Sequence, residues 1–247
     1  MRSIPLLLLS LFLAACAASP PDPQAIVDAA FEAHGSERLL HAVVTFDFRG
    51  KHFKVTRDGG VFQYERLYTD STGAVREVLN NDDLYREVNG ARVTLTEKER
   101  LKMEEDVNSV VYFALLPFSL NDPAVRKKYL GEATVKGEPY HEVEITFVPE
   151  GGGRDYQDRF VYWFHRDRHT MDYLGYYYHT NVTGARFREA YNVRTVGGVR
   201  FADYHNYKGD DVGIDDVQRF DALFEAGKLS LVSEIELENI TVRPLSP

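Results

Sequence analysis

From residue 41 onward the chain alternates apolar and polar residues, and this alternation constrains its fold more than any other feature. Val44, Phe46 and Phe48 alternate with Thr45, Asp47 and Arg49. Successive side chains of a strand point to opposite faces, so the pattern marks strands with one buried and one solvated face. Gly50, Asp58-Gly59-Gly60 and Asp70-Ser71-Thr72-Gly73 follow at hairpin distances. The pattern predicts strands over 52–57, 61–68, 74–79, 83–88 and 91–95. It resumes over 129–136, 139–148, 158–165, 171–179, 186–194, 199–207 and 234–243, with glycine turns at Gly137, Gly151-Gly152-Gly153 and Gly197-Gly198. Fifteen Tyr and fifteen Phe fit this reading, because aromatic side chains suit half-buried pleated surfaces.

Helical spacing appears in two places. Ile26, Val27, Ala30, Phe31 and Ala33 form a stripe over Gln24–His34, with Gly35 as its stop and a further turn over 36–41. Thr96-Glu97-Lys98-Glu99 is a capping box, followed at helical spacing by Leu101, Met103, Val107, Val110, Val111, Ala114 and Leu115. Pro117 ends that helix, and 117–128 reads as a loop with one helical turn at 124–127. No linker interrupts 24–247, so one domain is expected. The fold class is mainly β (α+β): a strongly curved antiparallel sheet or half-barrel, with the N-terminal and mid-chain helices on its concave side.

The first fifteen residues have the form of a signal peptide. Arg2 precedes an apolar run over 6–13, too short to cross a bilayer, which takes roughly 20 residues. Leu13-Ala14-Ala15-Cys16 resembles the bacterial lipobox, which implies lipidation of Cys16 and cleavage just before it. Cys16 is the one cysteine in the chain, so the rest forms no internal disulfide and depends on packing. Residues 16–23 then serve as lipidated cysteine and stiff proline-rich tether. Ala17 follows the cysteine instead of an inner-membrane-retaining Asp, and by that resemblance the address is the outer membrane, facing the periplasm. A net charge of −9 without Lys/Arg clusters excludes nucleic acid as a partner.

Several runs carry a family resemblance. Tyr162-Trp163-Phe164-His165-Arg166-Asp167 with the returning strand Met171–Tyr178, and Val196-Gly197-Gly198-Val199 with Phe201, resemble the superfamily of LolA, LolB and LppX. Those are periplasmic proteins that carry lipoproteins or lipids. The resemblance covers most of 24–243 and implies a concave apolar surface for a lipid or acyl chain. Like LolB and LppX, and unlike soluble LolA, this chain carries its own lipid signal. Asn121-Asp122-Pro123-Ala124-Val125 is similar to a run in bacterial lipoproteins of unknown function.

The candidate cavity residues come from three adjacent strands: Tyr177 and His179, then Glu189 and Tyr191, then Phe201 and His205. If the hairpins keep register these share a face, although the turn at Gly197-Gly198 could flip the parity of the third set. Buried carboxylates need partners, so Glu189 either lines a wet cavity or pairs structurally with Arg186 or Arg188. The expected function is non-catalytic binding of a lipid, acyl chain or other apolar ligand, with no cofactor and no metal. One alternative is an envelope interaction module with a filled core. Another is a hydrolase or isomerase using His179, Glu189 and His205. The acidic loop over 209–216 lacks EF-hand spacing and reads as solvated.

Overall fold

The computed structural model describes residues 19–151, 156–179 and 183–245. The leader and Cys16 lie outside the described residues. Helix α1 (Pro23–Ala33) begins where Asp22 accepts the Gln24 N–H at 3.0 Å and proline takes the first helical position. It buries Ile26, Val27 and Ala30. Gly35 follows at φ 65°, and a Cβ there would lie 2.0 Å from the Gly198 carbonyl oxygen. Glycine is therefore required twice at that position, by conformation and by close approach.

A 3₁₀ turn, Ser36–Leu40, leads into an antiparallel meander: β1 (His41–Phe48), β2 (Lys51–Asp58), β3 (Val61–Asp70), β4 (Gly73–Asn80), β5 (Leu84–Val88) and β6 (Ala91–Val93). Helix α2 (Glu97–Ala114) follows, capped reciprocally by Thr96 and Glu99 as the sequence predicts. A second meander comprises β7 (Val125–Val135), β8 (Glu138–Phe147), β9 (Arg159–His165), β10 (Met171–Tyr178), β11 (Gly184–Val196) and β12 (Val199–Lys208). A 3₁₀ turn, Ile214–Arg219, runs into α3 (Phe220–Glu225), and the chain ends with β13 (Ser230–Ile235) and β14 (Glu238–Pro244).

The expected β-rich architecture holds, divided into two seven-stranded antiparallel sheets. The first has the order β14-β1-β2-β3-β4-β5-β6 and the second β13-β12-β11-β10-β9-β8-β7. The stretch expected as one strand over 234–243 is thus two strands in different sheets. Asp203 holds the crossing point, accepting the Leu237 N–H at 2.9 Å and an Arg194 guanidinium N–H at 2.9 Å. The helical turn expected at 124–127 lies instead at Phe118–Asn121, because Val125 already pairs with Phe147 in the ladder.

Helix α3 is absent from the sequence reading, although Val217, Phe220, Leu223 and Phe224 carry its helical spacing. It packs on one face of the second sheet with Trp163, Tyr173 and Phe187. A Cβ at Gly175 would stand 2.6 Å from the Phe220 ring, so this glycine admits the helix. The second sheet curls around α3. Lys136, in the β7–β8 turn, pairs with Glu189 on β11 and donates its backbone N–H to Glu225 of α3. A flat sheet would separate β8 from β11 by about 14 Å, beyond a lysine's reach.

Helices α1 and α2 occupy the space between the sheets. Met103 and Val107 of α2 cover Leu84 and Tyr64 of the first sheet. Val111 and Leu115 join Val44, Phe46, Phe53 and Phe201. Tyr112 and Phe113 lie on the second sheet against Phe160, Tyr162 and Tyr176. His34 ties α1 to this core, accepting the Met171 N–H at 3.0 Å. Burial, and then the charge of Arg200, lower its imidazole pKa to about 3, so it stays neutral.

Candidate functional site

The six predicted cavity residues fall into three places. Register pairs Glu189 with Tyr173 and His205, and Tyr191 with Asp203, so these side chains share the face that carries α3. There the Tyr191 ring stacks on His205 at 4.1 Å and 5°. Glu189 is engaged by Lys136 and accepts the Tyr207 hydroxyl at 3.2 Å. His205 Nδ1 stands 3.6 Å from Glu189, outside hydrogen-bond reach. Tyr177 and His179 lie on the same face at the other end of β10, about 13 Å along the strand, beyond the rings of α3. His179 is exposed and donates its backbone N–H to Asp158 at 3.0 Å.

Phe201 belongs elsewhere: it is 2% exposed and packs with Val44, Phe46 and Leu115 between the sheets. It keeps period two with Asp203 and His205 on β12, but its end of the strand meets the first sheet and α2, and the bulge in the β11–β12 ladder between Tyr191 and Arg194 puts its extra residue on β11. The hairpin turn itself keeps Val196 opposite Val199. The extra residue re-aims the β11 side chains beyond Tyr191, and the local alternation does not record this.

Among the candidates, His179 Nδ1 stands 3.4 Å from Asp158, and the closer histidine–carboxylate pairs occur elsewhere. His41–Asp58 and His52–Asp47 are surface pairs at 2.7 and 2.6 Å, and His165 meets Glu138 at 2.8 Å. Two carboxylates of the acidic loop are engaged. Asp216 caps the Gly213 N–H at 3.0 Å, and Asp215 pairs with Arg159 at 2.9 Å. A carboxyl pair joins the curled sheet to its helix. Burial and the neighbouring Asp221 push the Glu142 carboxyl up to about 7, while the Trp163 indole N–H donates to it at 2.8 Å.

The opposite face of the second sheet is aromatic and holds Arg188, which the sequence offers as a partner for Glu189 but the strand turns away from it. Phe160 and Tyr176 stack at 5.4 Å, Phe160 and Tyr162 at 6.1 Å, and Phe147 meets Phe160 edge-on at 5.9 Å. Phe113 of α2 leans on this row, 5.2 Å from Tyr176. Phe113, Phe147 and Tyr178 are only partly buried, so the row reaches the surface. Beneath Phe113 lies Arg188, 8% exposed, its guanidinium carbon 3.9 Å from the ring centre. It donates to the Tyr176 hydroxyl at 2.8 Å, its Nε has no partner, and no carboxylate pairs with it among the described residues. Its sequence signal is slight: an arginine at an inward position of an alternating strand.

Two shallow depressions flank Tyr68 and Val75 on the first sheet. One of 400 Å³ is lined by Leu67, Thr69, Arg76 and Glu87. The other, of 330 Å³, lies toward α2 and is lined by Arg86, Val88, Val93, Leu95 and Glu99. Among the described residues no helix is long and apolar enough to cross a membrane.

Among solved structures, a DUF1329 family protein from Desulfovibrio piger shares this fold. The TM-score is 0.50 at 14% identity, over 90% of this chain and 93% of that one. A Vibrio parahaemolyticus domain described as outer membrane lipoprotein-sorting is similar at TM-score 0.46 and 10% identity, over 90% and 94%. The lipoprotein LppX of Mycobacterium tuberculosis matches at TM-score 0.27 and 11% identity, over 63% and 88%. No curated protein matches the chain. The model of a family of unknown function, DUF6503, matches residues 2–237, and the chain belongs to that family.

Proposed function

We propose that the protein is a lipoprotein of the cell envelope, anchored by acyl chains on Cys16 at the outer membrane and facing the periplasm. In this reading its domain binds an apolar or amphiphilic ligand without covalent chemistry. The observation that carries the reading is the aromatic row Phe160–Tyr162–Tyr176 continuing to the partly exposed Phe113, Phe147 and Tyr178. Each aromatic side chain offers a large apolar surface, and burial against it stabilises a bound chain by roughly 25 cal/mol per Å². Recognition would come from the shape of this row and from the polar groups beside it.

Native mass spectrometry of the lipoprotein purified from its own host tests the binding. A co-purifying lipid or fatty acid, retained in mild detergent and lost on Phe160→Ala, is the expected result. A consistently empty protein overturns the reading. The anchor is tested separately: Cys16→Ala should release the protein from the membrane fraction, and unchanged fractionation would remove the lipid attachment.

An interaction module remains a second reading for one reason. Strand β13 is a sheet edge with Leu231 and Val232 exposed at 52% and 42%, an arrangement suited to accepting a partner strand. Crosslinking in cells from position 231 would report such a partner.

A further inference from the structure

We infer that Arg188 recognises the anionic head of the ligand, a carboxylate or a phosphate carried on an apolar chain, once Phe113 swings off the guanidinium. The inference rests on the amphiphile-binding reading and narrows it to one ligand class.

The reasoning starts from charge. An arginine side chain cannot shed its proton in a protein, so a buried guanidinium must be compensated where it lies. Removing it from water carries a large cost even after relaxation. Arg188 has the faces of Phe113 and Tyr176, at 3.9 and 5.2 Å, and one hydroxyl acceptor. Cation–π contact of this kind offsets only part of that cost.

Its neighbours point the same way. Arg186 is two residues earlier on the same strand, hence on the same face, and forms no ion pair among the described residues. Its guanidinium lies over the Tyr178 ring at 5.6 Å. Asn206, opposite Arg188 in the ladder, is 9% exposed and keeps an unpartnered Oδ1, which a hydroxyl on the head would satisfy. Two arginines without a carboxylate partner among the described residues and a free acceptor therefore share one aromatic surface, in a chain whose net charge is −9. Phe113, partly exposed near the end of α2, occupies the place an acyl chain would take against Tyr176 and Phe160.

The test titrates the detergent-purified lipoprotein, cleared of endogenous lipid, with palmitate, hexadecyl phosphate and hexadecanol, each read by native mass spectrometry. These probes share one chain and differ in the head. The wild type should bind at least one anion about tenfold or more tighter than hexadecanol, as expected for a charged hydrogen bond out of water. The favoured anion distinguishes a carboxylate source from a phosphate source. Arg188→Met should bind all three alike, with its thermal midpoint no lower than the wild type's, and Arg188→Lys should recover part of the preference. Equal wild-type affinity for the three probes, or an anion preference that survives in Arg188→Met, overturns the inference while leaving the amphiphile reading in place. Failure of every probe to bind overturns both.

Discussion

Each sheet contains a buried arginine, and the two live in opposite surroundings. Arg66 on β3 is 6% exposed and Arg188 on β11 is 8% exposed. Arg66 meets Glu77 at 2.5 Å and Asp106 of α2 at 3.1 Å. Glu77, fully buried, also takes Arg86 at 2.6 Å and the Tyr68 hydroxyl at 3.1 Å. Every charge in that network has an opposite charge beside it, and the network fastens α2 to the first sheet. Arg188 has rings and one hydroxyl. Equal burial with unequal compensation separates a structural charge from one available to a ligand, since an uncompensated buried charge is retained against its cost to stability.

The sharpest test of this contrast is Glu77→Leu. It leaves Arg66 and Arg86 facing an apolar side chain, and should cost about 3 kcal/mol or more in urea unfolding. A loss under about 1 kcal/mol would erase the distinction between the two arginines.

Phe113→Ala comes next. It removes ring contacts with Tyr112, Phe160 and Tyr176, at a cost of about 2 kcal/mol for a half-buried aromatic. It should also raise the rate of ligand association, measured by stopped-flow fluorescence. An unchanged rate would show that Phe113 does not cover the site.

Arg188→Met should stabilise the domain by about 1 kcal/mol, because removing the desolvation cost outweighs the lost cation–π contact. A substantial loss of stability would instead make Arg188 as structural as Arg66.

The smallest effect concerns the carboxyl pair under α3. The Glu142 pKa is raised in the folded protein from 4.5 to about 7. The folded state therefore holds a proton that the unfolded chain has already released. Stability should fall as pH rises from about 4.5 to about 7 and level off above that. Glu142→Gln keeps an acceptor for Trp163 and should flatten this part of the thermal-midpoint profile; an unaltered profile would place the titration elsewhere.

What could be read without the structure was whatever is decided locally. The β1 alternation, the Thr96–Glu99 cap and the Gly35 stop depend on a residue's own preferences and its near neighbours. They place the strands, α1 and α2 in the folded chain. The pairing of Glu189, Tyr191 and His205 on one face also followed from period two, because the β10–β11 and β11–β12 ladders stay in register as far as Tyr191. Phe201 did not follow: it keeps the parity of His205 on β12, and only the packing of that strand end against the first sheet and α2 decides its neighbours. Helix α3 was legible in Val217, Phe220, Leu223 and Phe224, but too short for its period to stand out from the surrounding loop.

By itself, the amino-acid order determined which segments extend, which coil, and where each one stops. Only the tertiary structure decided that 234–243 crosses from one sheet to the other, that the second sheet curls around α3, and that the buried Arg188 meets no carboxylate among the described residues. Neutralisation is a sum over neighbours distant in sequence. Asp106 reaches Arg66 from another element, and nothing local to Arg188 announces that none pairs with it among the described residues.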